Sequence, residues 1–470
     1  MHQAAVRCGV AAPAKLQFWL RTTARVLAWS VALQLSAACG RLGFGLRAVD
    51  AGEPQTASAD AAADPLAAFD AGTPDVMALP DAGMQEMAVA DAGMQGTAAA
   101  DAGAGPVLIA DGPSVGPASA KLGRGFQQTC AITDGRLLCW GRNQAAQLGL
   151  GDTTDRNAPV QVGNAQWADA CGGEFHSCGV QASGQLYCWG ANTKGQLGTG
   201  DVLQRTSPVP VDGIDDAIAV TCEGEFTCAL RQGGVLSCWG DNLEGALGQN
   251  DLMGAPDRSA PSLVAAGTAF RAVSAGQGHV CAVRMDGALL CWGRNSDAQA
   301  GIGTIVPDQL RAPMQVGTAS DWIAVAAGQN QTCGIRAGGS LWCWGTDMAG
   351  LLGMNLANGG VVLTPTRVGS MSGWQQISAA RLHTCGVTTA GALYCWGRGV
   401  EGQLGIGSTS AVLVPTRVGT ASDWQEIAAG SFHSCGRRAD GVWCWGENAV
   451  GQLGLGDTTR RSAPTRVNLP

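Results

Sequence analysis

The sequence predicts an all-β fold, seven copies of one small antiparallel sheet in tandem, behind an N-terminal export signal and a low-complexity tether. Three observations carry this reading. The tripeptide Cys-Trp-Gly ends at Gly141, Gly190, Gly240, Gly293, Gly345, Gly397 and Gly446, at spacings of 49, 50, 53, 52, 52 and 49 residues, so one unit recurs about every fifty residues. A second cysteine precedes each tripeptide across a short glycine-containing turn, which marks a hairpin. A proline follows each copy, at Pro159, Pro208, Pro261, Pro313, Pro365, Pro415 and Pro464, and proline in a sheet belongs to an edge or to a strand's first residue. These prolines are therefore expected to open an outer strand.

Composition agrees with a copied motif. The 470 residues include 15 tryptophans against 8 phenylalanines and 2 tyrosines, an inversion of ordinary usage. The 29 basic and 37 acidic residues leave a net charge of −8, which provides no broad basic surface for nucleic acid.

Residues 1–38 read as a signal peptide. Residues 1–49 hold no Asp or Glu but carry Arg7, Lys15, Arg21, Arg25, Arg41 and Arg47, and Val26 to Ala38 is an uncharged run. That run is too short to cross a hydrocarbon core of ~30 Å. The segment Leu35-Ser36-Ala37-Ala38-Cys39 resembles the lipobox at which bacterial lipoproteins are cleaved and acylated, with Ser36 where an aliphatic residue is usual. Cys39 is the expected lipidation site; plain cleavage after Ala38 and a mitochondrial presequence are the alternatives. Residues 39–118 form the expected tether. From Asp50 onward it is rich in Ala, Asp, Gly, Pro and Met, with eleven acidic residues and no Lys or Arg. Such a composition cannot offset an ordering entropy of about 1–2 kcal/mol per residue.

Residues 119–470 hold the repeats, and their cysteines set the register. Five pairs stand ten apart: Cys178 with Cys188, Cys228 with Cys238, Cys281 with Cys291, Cys333 with Cys343 and Cys385 with Cys395. Gly184, Gly234, Gly287, Gly339 and Gly391 are third in their central triplets. A three-residue hairpin with glycine in the left-handed region sets such cysteines opposite each other. Their Cα atoms would be ~4.5 Å apart, within disulfide reach. Cys130 and Cys139 are opposed around the two-residue turn Asp134-Gly135. For Cys435 and Cys444, centring the turn on Asp440-Gly441 offsets the cysteines, so a bulge or strain is expected there. Cys171 and Cys222 remain, where other copies have Gly123, Ser274, Ala326, Ser378 and Ala428. Small residues imply crowding near an axis, where the two cysteines either bridge neighbouring units or stay as buried thiols. If they bridge and Cys8 is removed with the signal, Cys39 is left over. So many disulfides imply an oxidising compartment, and the spacing across a hairpin is wrong for a zinc site, so no metal and no cofactor are expected.

The unit, with G-x-x-H before the hairpin, G-x-L-x-x-W-G at its end and N-x-x-G-Q-L-G-x-G beyond, resembles the regulator of chromosome condensation repeat. That resemblance implies a seven-bladed β-propeller of four-stranded antiparallel blades. Blade four departs with Ala298 and Ala300, blade five with Asp347 and blade six with Gly399, which bears on local turns. The repeats begin inside one unit at Ala120-Lys121-Leu122-Gly123 and end after Pro464-Thr465-Arg466-Val467, so pairing of the first and last segments is expected to close the ring.

No catalytic set emerges: the repeats of residues 119–470 lack G-x-S-x-G, H-E-x-x-H and a phosphate-cradling G-x-x-x-x-G-K. His176, His279, His383 and His433 stand two residues before a hairpin cysteine, where Gln128, Phe226 and Gln331 replace them in other copies. Such replacement favours a structural imidazole over a metal or acid–base role. Asp152, Asp201, Asp251 and Asp457 are read as capping their own turns rather than holding calcium. The informative variation is loop length. Proline follows tryptophan by 19 residues in blades one, two, six and seven, but by 22, 21 and 21 in blades three, four and five. These longer loops carry Leu252, Met253, Arg258, Ile305, Val306, Leu356, Val361 and Val362, an apolar share that points to a partner surface or to loops packing on each other.

The functional expectation is a non-enzymatic monomer, exported to the outer membrane or cell surface as a lipoprotein or else secreted. It would touch the membrane only through its lipid and bind a protein or glycan through its rim loops. The resemblance implies two alternatives: inhibition of a secreted enzyme, as in the family's β-lactamase-inhibiting propellers, and guanine-nucleotide exchange on a small GTPase, the namesake activity. Export and the lack of a long wedge-like insertion argue against exchange. The family's plant ultraviolet photoreceptors use G-W-R-H-T motifs, and Glu174, Gln277, Arg381 and Ser431 replace that tryptophan here, so light sensing is not expected.

Overall fold

The computed structural model describes residues 120–470 apart from Met253, Ala357 and Asn358. The signal, the tether and Cys39 lie outside the described residues. Seven four-stranded sheets form the blades of a β-propeller, each built from four consecutive antiparallel strands. Blade one holds β1 (Ala120–Arg124), β2 (Gln128–Thr133), β3 (Arg136–Gly141) and β4 (Arg156–Gln161). The first strands of blades two to seven begin at Trp167, Ala217, Phe270, Trp322, Trp374 and Trp424. The expected closure by pairing first and last segments does not occur, because the described chain supplies all four strands of every blade. Arg461–Arg466 pairs within blade seven, and β1 pairs within blade one. The ring closes by packing blade seven against blade one.

Turn chemistry explains the hairpins. Asp134 (φ 51°) and Gly135 (φ 75°) are both left-handed, as a type I′ turn requires. In each blade the two hairpin cysteines are register partners and disulfide-bonded, with Cα atoms 4.1 to 4.2 Å apart. Cys130 is bonded to Cys139, Cys178 to Cys188, Cys228 to Cys238 and Cys281 to Cys291. Cys333 is bonded to Cys343, Cys385 to Cys395 and Cys435 to Cys444. All fourteen residues are buried, so these cysteines staple the blade interior and offer no surface to a partner. The expected misfit of Cys435 with Cys444 is corrected: Arg438 pairs with Gly441, so the turn is Ala439-Asp440 and Cys435 directly opposes Cys444. The prolines are likewise corrected. They lie on the outer strands but inside them, where the register shifts between the pair Cys139 with Val160 and the pair Gly141 with Arg156, and in the equivalent places of other blades. There the ladder does not require their missing N–H.

The first strands face the axis, and their small residues allow close approach. A Cβ on Gly123 would stand 2.8 Å from the Ala170 carbonyl oxygen. Here Cys171 and Cys222 are disulfide-bonded between blades two and three. Inner strands have an unpaired edge, and buried backbone donors need acceptors. Side chains of the preceding blade accept them: Asp169 from Val220 N, Ser274 from Ala327 N, Ser378 from Ala429 N and Glu426 from Leu122 N, at 2.9 to 3.0 Å. Glu426, itself held by Arg437 at 2.8 Å, acts across the closing seam.

Each Cys-Trp-Gly tryptophan plugs the seam with the preceding blade. Trp189, Trp239, Trp292, Trp344, Trp396 and Trp445 each donate Nε1–H to a carbonyl of the preceding blade, and Trp140 donates to Gln452 of blade seven, at 2.8 to 3.0 Å. The glycine two residues beyond each acceptor makes room: Gly149, Gly198, Gly248, Gly301, Gly353, Gly405 and Gly454 have φ of 66° to 72°, and a Cβ there would meet the indole nitrogen at 2.5 to 2.8 Å. A second tryptophan set opens the first strands. Trp167, Trp322, Trp374 and Trp424 lie over Gly179, Gly334, Gly386 and Gly436, where a Cβ would stand 2.6 to 2.8 Å from the indole.

Candidate binding face

In a four-stranded meander the connections alternate ends. The loops joining strands one to two and strands three to four therefore share one face, which carries both the mouth of the axis and the predicted rim loops.

The mouth is plugged by Arg124 at the end of β1. Its guanidinium donates to the carbonyls of Ala379, Ala275 and Ala327 at 2.5, 3.0 and 3.3 Å and lies 3.9 Å from Glu223. One side chain thus ties blades one, three, four, five and six together. Above it, Arg381 lies over the rings of Phe126 and Phe432 at 5.4 and 5.9 Å and donates to Gln329 at 3.0 Å. The recess they line, with Glu174, Gln277 and Ser431, holds about 20 Å³ of free space, room for about one water. Burial raises the carboxyl pKa of Glu174 against the pull of Arg381 and Arg142. Burial also raises that of Glu225, reinforced by Asp241 and Glu174. Both carboxyls lie on this face and are partly withdrawn from water.

The histidines lie beneath this face and are structural. His176, His279, His383 and His433 meet Thr227, Thr332, Ser434 and Thr129 of the next blade at 2.7 to 2.8 Å. Each hydroxyl donates to the same seam carbonyl that accepts the tryptophan N–H, so the imidazole Nε2–H is the donor. Burial pushes their pKa to about 3, and for His433 to about 4. A neutral, enclosed imidazole beside an engaged hydroxyl is no nucleophile–base pair. The aspartates are also engaged. Asp152 accepts Thr154 N–H and binds Arg156, and Asp457 accepts Thr459 N–H and binds Arg461, which lowers both carboxyls.

The rim loops form an arc because each rests on the outer strand of the next blade. Asn250 N–H donates to Arg311 O at 2.7 Å, Gly303 N–H to Leu363 O at 2.9 Å and Asn355 N–H to Leu413 O at 3.0 Å. Along this arc Leu252 is 87 % exposed and Val306 73 %, with Ile305 and Val361 also exposed. Val362 instead packs against two core clusters, one spanning blades three to five and one spanning blades five and six, Leu356 is half-buried, Arg258 is paired with Asp251 at 3.0 Å, and Met253 lies outside the described residues. Sequence reading missed Leu243, Met348 and Val400, exposed on the same face four residues after the tripeptide tryptophan of blades three, five and six. Other copies are polar or small there, with Gln144, Thr193, Ser296 and Ala449, and that contrast was the available signal.

These features define a repeat-built propeller whose histidines and tryptophans serve the seams and whose loops carry the variation. The chain belongs to the RCC1-like domain family: that family's model matches residues 218–470, and the Regulator of chromosome condensation (RCC1) repeat model matches 134–180 and 183–230. It is similar to the Ultraviolet-B receptor UVR8 of Arabidopsis thaliana, 29% identical over 290 residues, covering 60% of this chain and 54% of that protein. It is 34% identical over 140 residues to the X-linked retinitis pigmentosa GTPase regulator homolog of Caenorhabditis elegans, covering 29% of this chain and 10% of that protein. The chain thus spans about half of the first relative and a tenth of the second. Among solved structures, human WBSCR16 superposes with a TM-score of 0.64 at 20% identity, over 71% of this chain and 94% of that one. Yeast RCC1 (Prp20) bound to Kap60 superposes with a TM-score of 0.64 at 21% identity, over 74% and 85%. At these identities the superpositions speak to the fold.

Proposed function

We propose that this chain is a non-catalytic, exported scaffold that binds a protein or glycan partner through the face carrying the axis mouth and the arc of rim loops. The observation that carries the reading is the run of exposed apolar side chains on consecutive blades of one face, Leu243, Leu252, Val306, Met348, Val361 and Val400. Apolar groups clustered on a rigid scaffold mark contact surfaces. That a relative in the family was solved with a protein bound, yeast RCC1 (Prp20) with Kap60, supports a scaffold role. Anchoring at Cys39 belongs to the same proposal, and fractionation with and without globomycin tests it.

The binding test is a crosslinked pull-down from envelope extract with the wild-type chain and with the triple variant Leu252→Asp, Val306→Asp, Val361→Asp. These side chains are exposed, so folding is retained. Loss of a captured partner supports the reading. Unchanged capture of every partner rejects this face.

A further inference from the structure

We propose that Cys171, Cys178, Cys188 and Cys222 form one thiol–disulfide exchange site, whose co-reactant is a dithiol and whose product is a Cys171–Cys178 disulfide. The Sγ atoms of Cys171, Cys178 and Cys222 all lie within 4.8 Å of one another. Cys188 is bonded to Cys178, so four sulfurs belong to one buried cluster. Among the described residues no other such trio of His, Cys, Asp or Glu ligand atoms gathers this closely. Every other hairpin disulfide has Gly123, Thr221, Ser274, Ala326, Ser378 or Ala428 opposite its first cysteine.

Register makes the alternative bond feasible. Cys171 and Cys178 are direct partners on neighbouring strands of blade two. Cys178 stands 4.1 Å from Cys188 by Cα, the short spacing of a pair that turns its backbone groups away. Those groups then point to the other neighbour, which places Cys171 at about 5.5 Å, in the middle of the disulfide range. Cys222 lacks this option within its own blade, since Thr227 faces it.

The chemistry balances. A thiolate of the dithiol attacks Sγ of Cys222; that bond forms as Cys171–Cys222 breaks, and the electron pair leaves on Cys171. The second thiolate of the dithiol displaces Cys222 and closes a cyclic disulfide. The dithiol has lost two electrons and two protons, and the chain has gained them. The Cys171 thiolate then attacks Sγ of Cys178, forming Cys171–Cys178 and expelling Cys188, which takes the proton. One disulfide and two thiols remain. The tie between blades two and three has become a tie within blade two, so a reductant opens the seam at the axis without leaving blade two unstapled.

Two measurements on the full chain test this. Cys188→Ser leaves a Cys178 thiol beside the Cys171–Cys222 bond and needs no reductant. After incubation in mildly alkaline buffer, trapping with N-ethylmaleimide and peptide mapping, the label should move from Cys178 to Cys222 as the Cys171–Cys178 peptide appears. In the control Cys291→Ser, the freed Cys281 faces Ser274 and should keep its label. Label retained wholly on Cys178 overturns the proposal. If Cys188→Ser does not fold, wild-type protein treated with a single equivalent of dithiothreitol decides: a Cys171–Cys178 peptide with label on Cys188 and Cys222 supports exchange. Label on Cys171 and Cys222 with Cys178–Cys188 intact overturns it.

Discussion

Gly454→Ala, set against Gly456→Ala, measures how much one tryptophan plug holds the ring closed. Both glycines are left-handed, with φ of 70° and 82°. A Cβ at Gly454 would stand 2.7 Å from Trp140 Nε1, whereas at Gly456 nothing lies within 4 Å. An L-residue in this region costs about 1 kcal/mol, and both variants bear it. Only Gly454→Ala also overpacks the seam, a further 1–3 kcal/mol, roughly. The expected losses are therefore about 1 kcal/mol for Gly456→Ala and about 2–4 kcal/mol for Gly454→Ala. Equilibrium urea unfolding with intact disulfides, followed by indole fluorescence, reads the difference. Trp140→Phe frees the space that the new methyl needs, so the double variant should lose less than the sum of the singles. Equal losses for the two glycine variants, or strict additivity with Trp140→Phe, would refute the plug.

Three other outcomes follow from the same geometry. The pKa of His279 is about 3 in the fold against ~6.5 unfolded, so below that unfolded value only the unfolded chain takes the proton. Its share of stability is lost as pH falls, by about 2 kcal/mol at roughly pH 5. His279→Gln, which copies blades one and five, should match wild type near pH 8 within ~1 kcal/mol and exceed it in acid; parallel unfolding midpoints across that range would refute this. Arg124→Met strips the donor from three inner-strand carbonyls and leaves Glu223 in the mouth without its guanidinium, which should cost about 3–5 kcal/mol; an unchanged urea midpoint would remove Arg124 as the axial tie. Gly334→Ala drives a methyl to 2.7 Å from Trp322 and should cost about 1–3 kcal/mol, while Gly334→Ala with Trp322→Ala should be milder than additive.

Hairpins were legible in the sequence because their information is local. A glycine third in a triplet selects one turn, and the turn sets Cys238 opposite Cys228, Cys343 opposite Cys333 and Cys395 opposite Cys385. The error at Cys435 and Cys444 came from assigning glycine a turn position at Gly441, which the structure uses as the first residue of a strand. The prolines were misplaced for a related reason: their tolerance comes from a register shift, which needs the partner strand to be seen. One further pattern was readable. The residue after the first hairpin cysteine is Gly179, Gly334, Gly386 or Gly436 where a tryptophan opens the blade, and Ala229 or Ala282 where Ala217 or Phe270 does. The repeats record that contact as a trade of a methyl for an indole.

By itself the sequence determined the number of blades, the hairpin pairs and the loops that vary, since each depends on spacing within one fifty-residue unit. Tertiary structure alone decided how the ring closes, why the histidines are neutral, which loop residues remain exposed, that Arg124 spans the axis mouth, and that the sulfurs of Cys171, Cys178 and Cys222 gather. Those contacts join residues of different blades across a closed ring. Periodicity along the chain describes each blade equally well in isolation, so it carries no record of which unique side chains the ring turns toward one another.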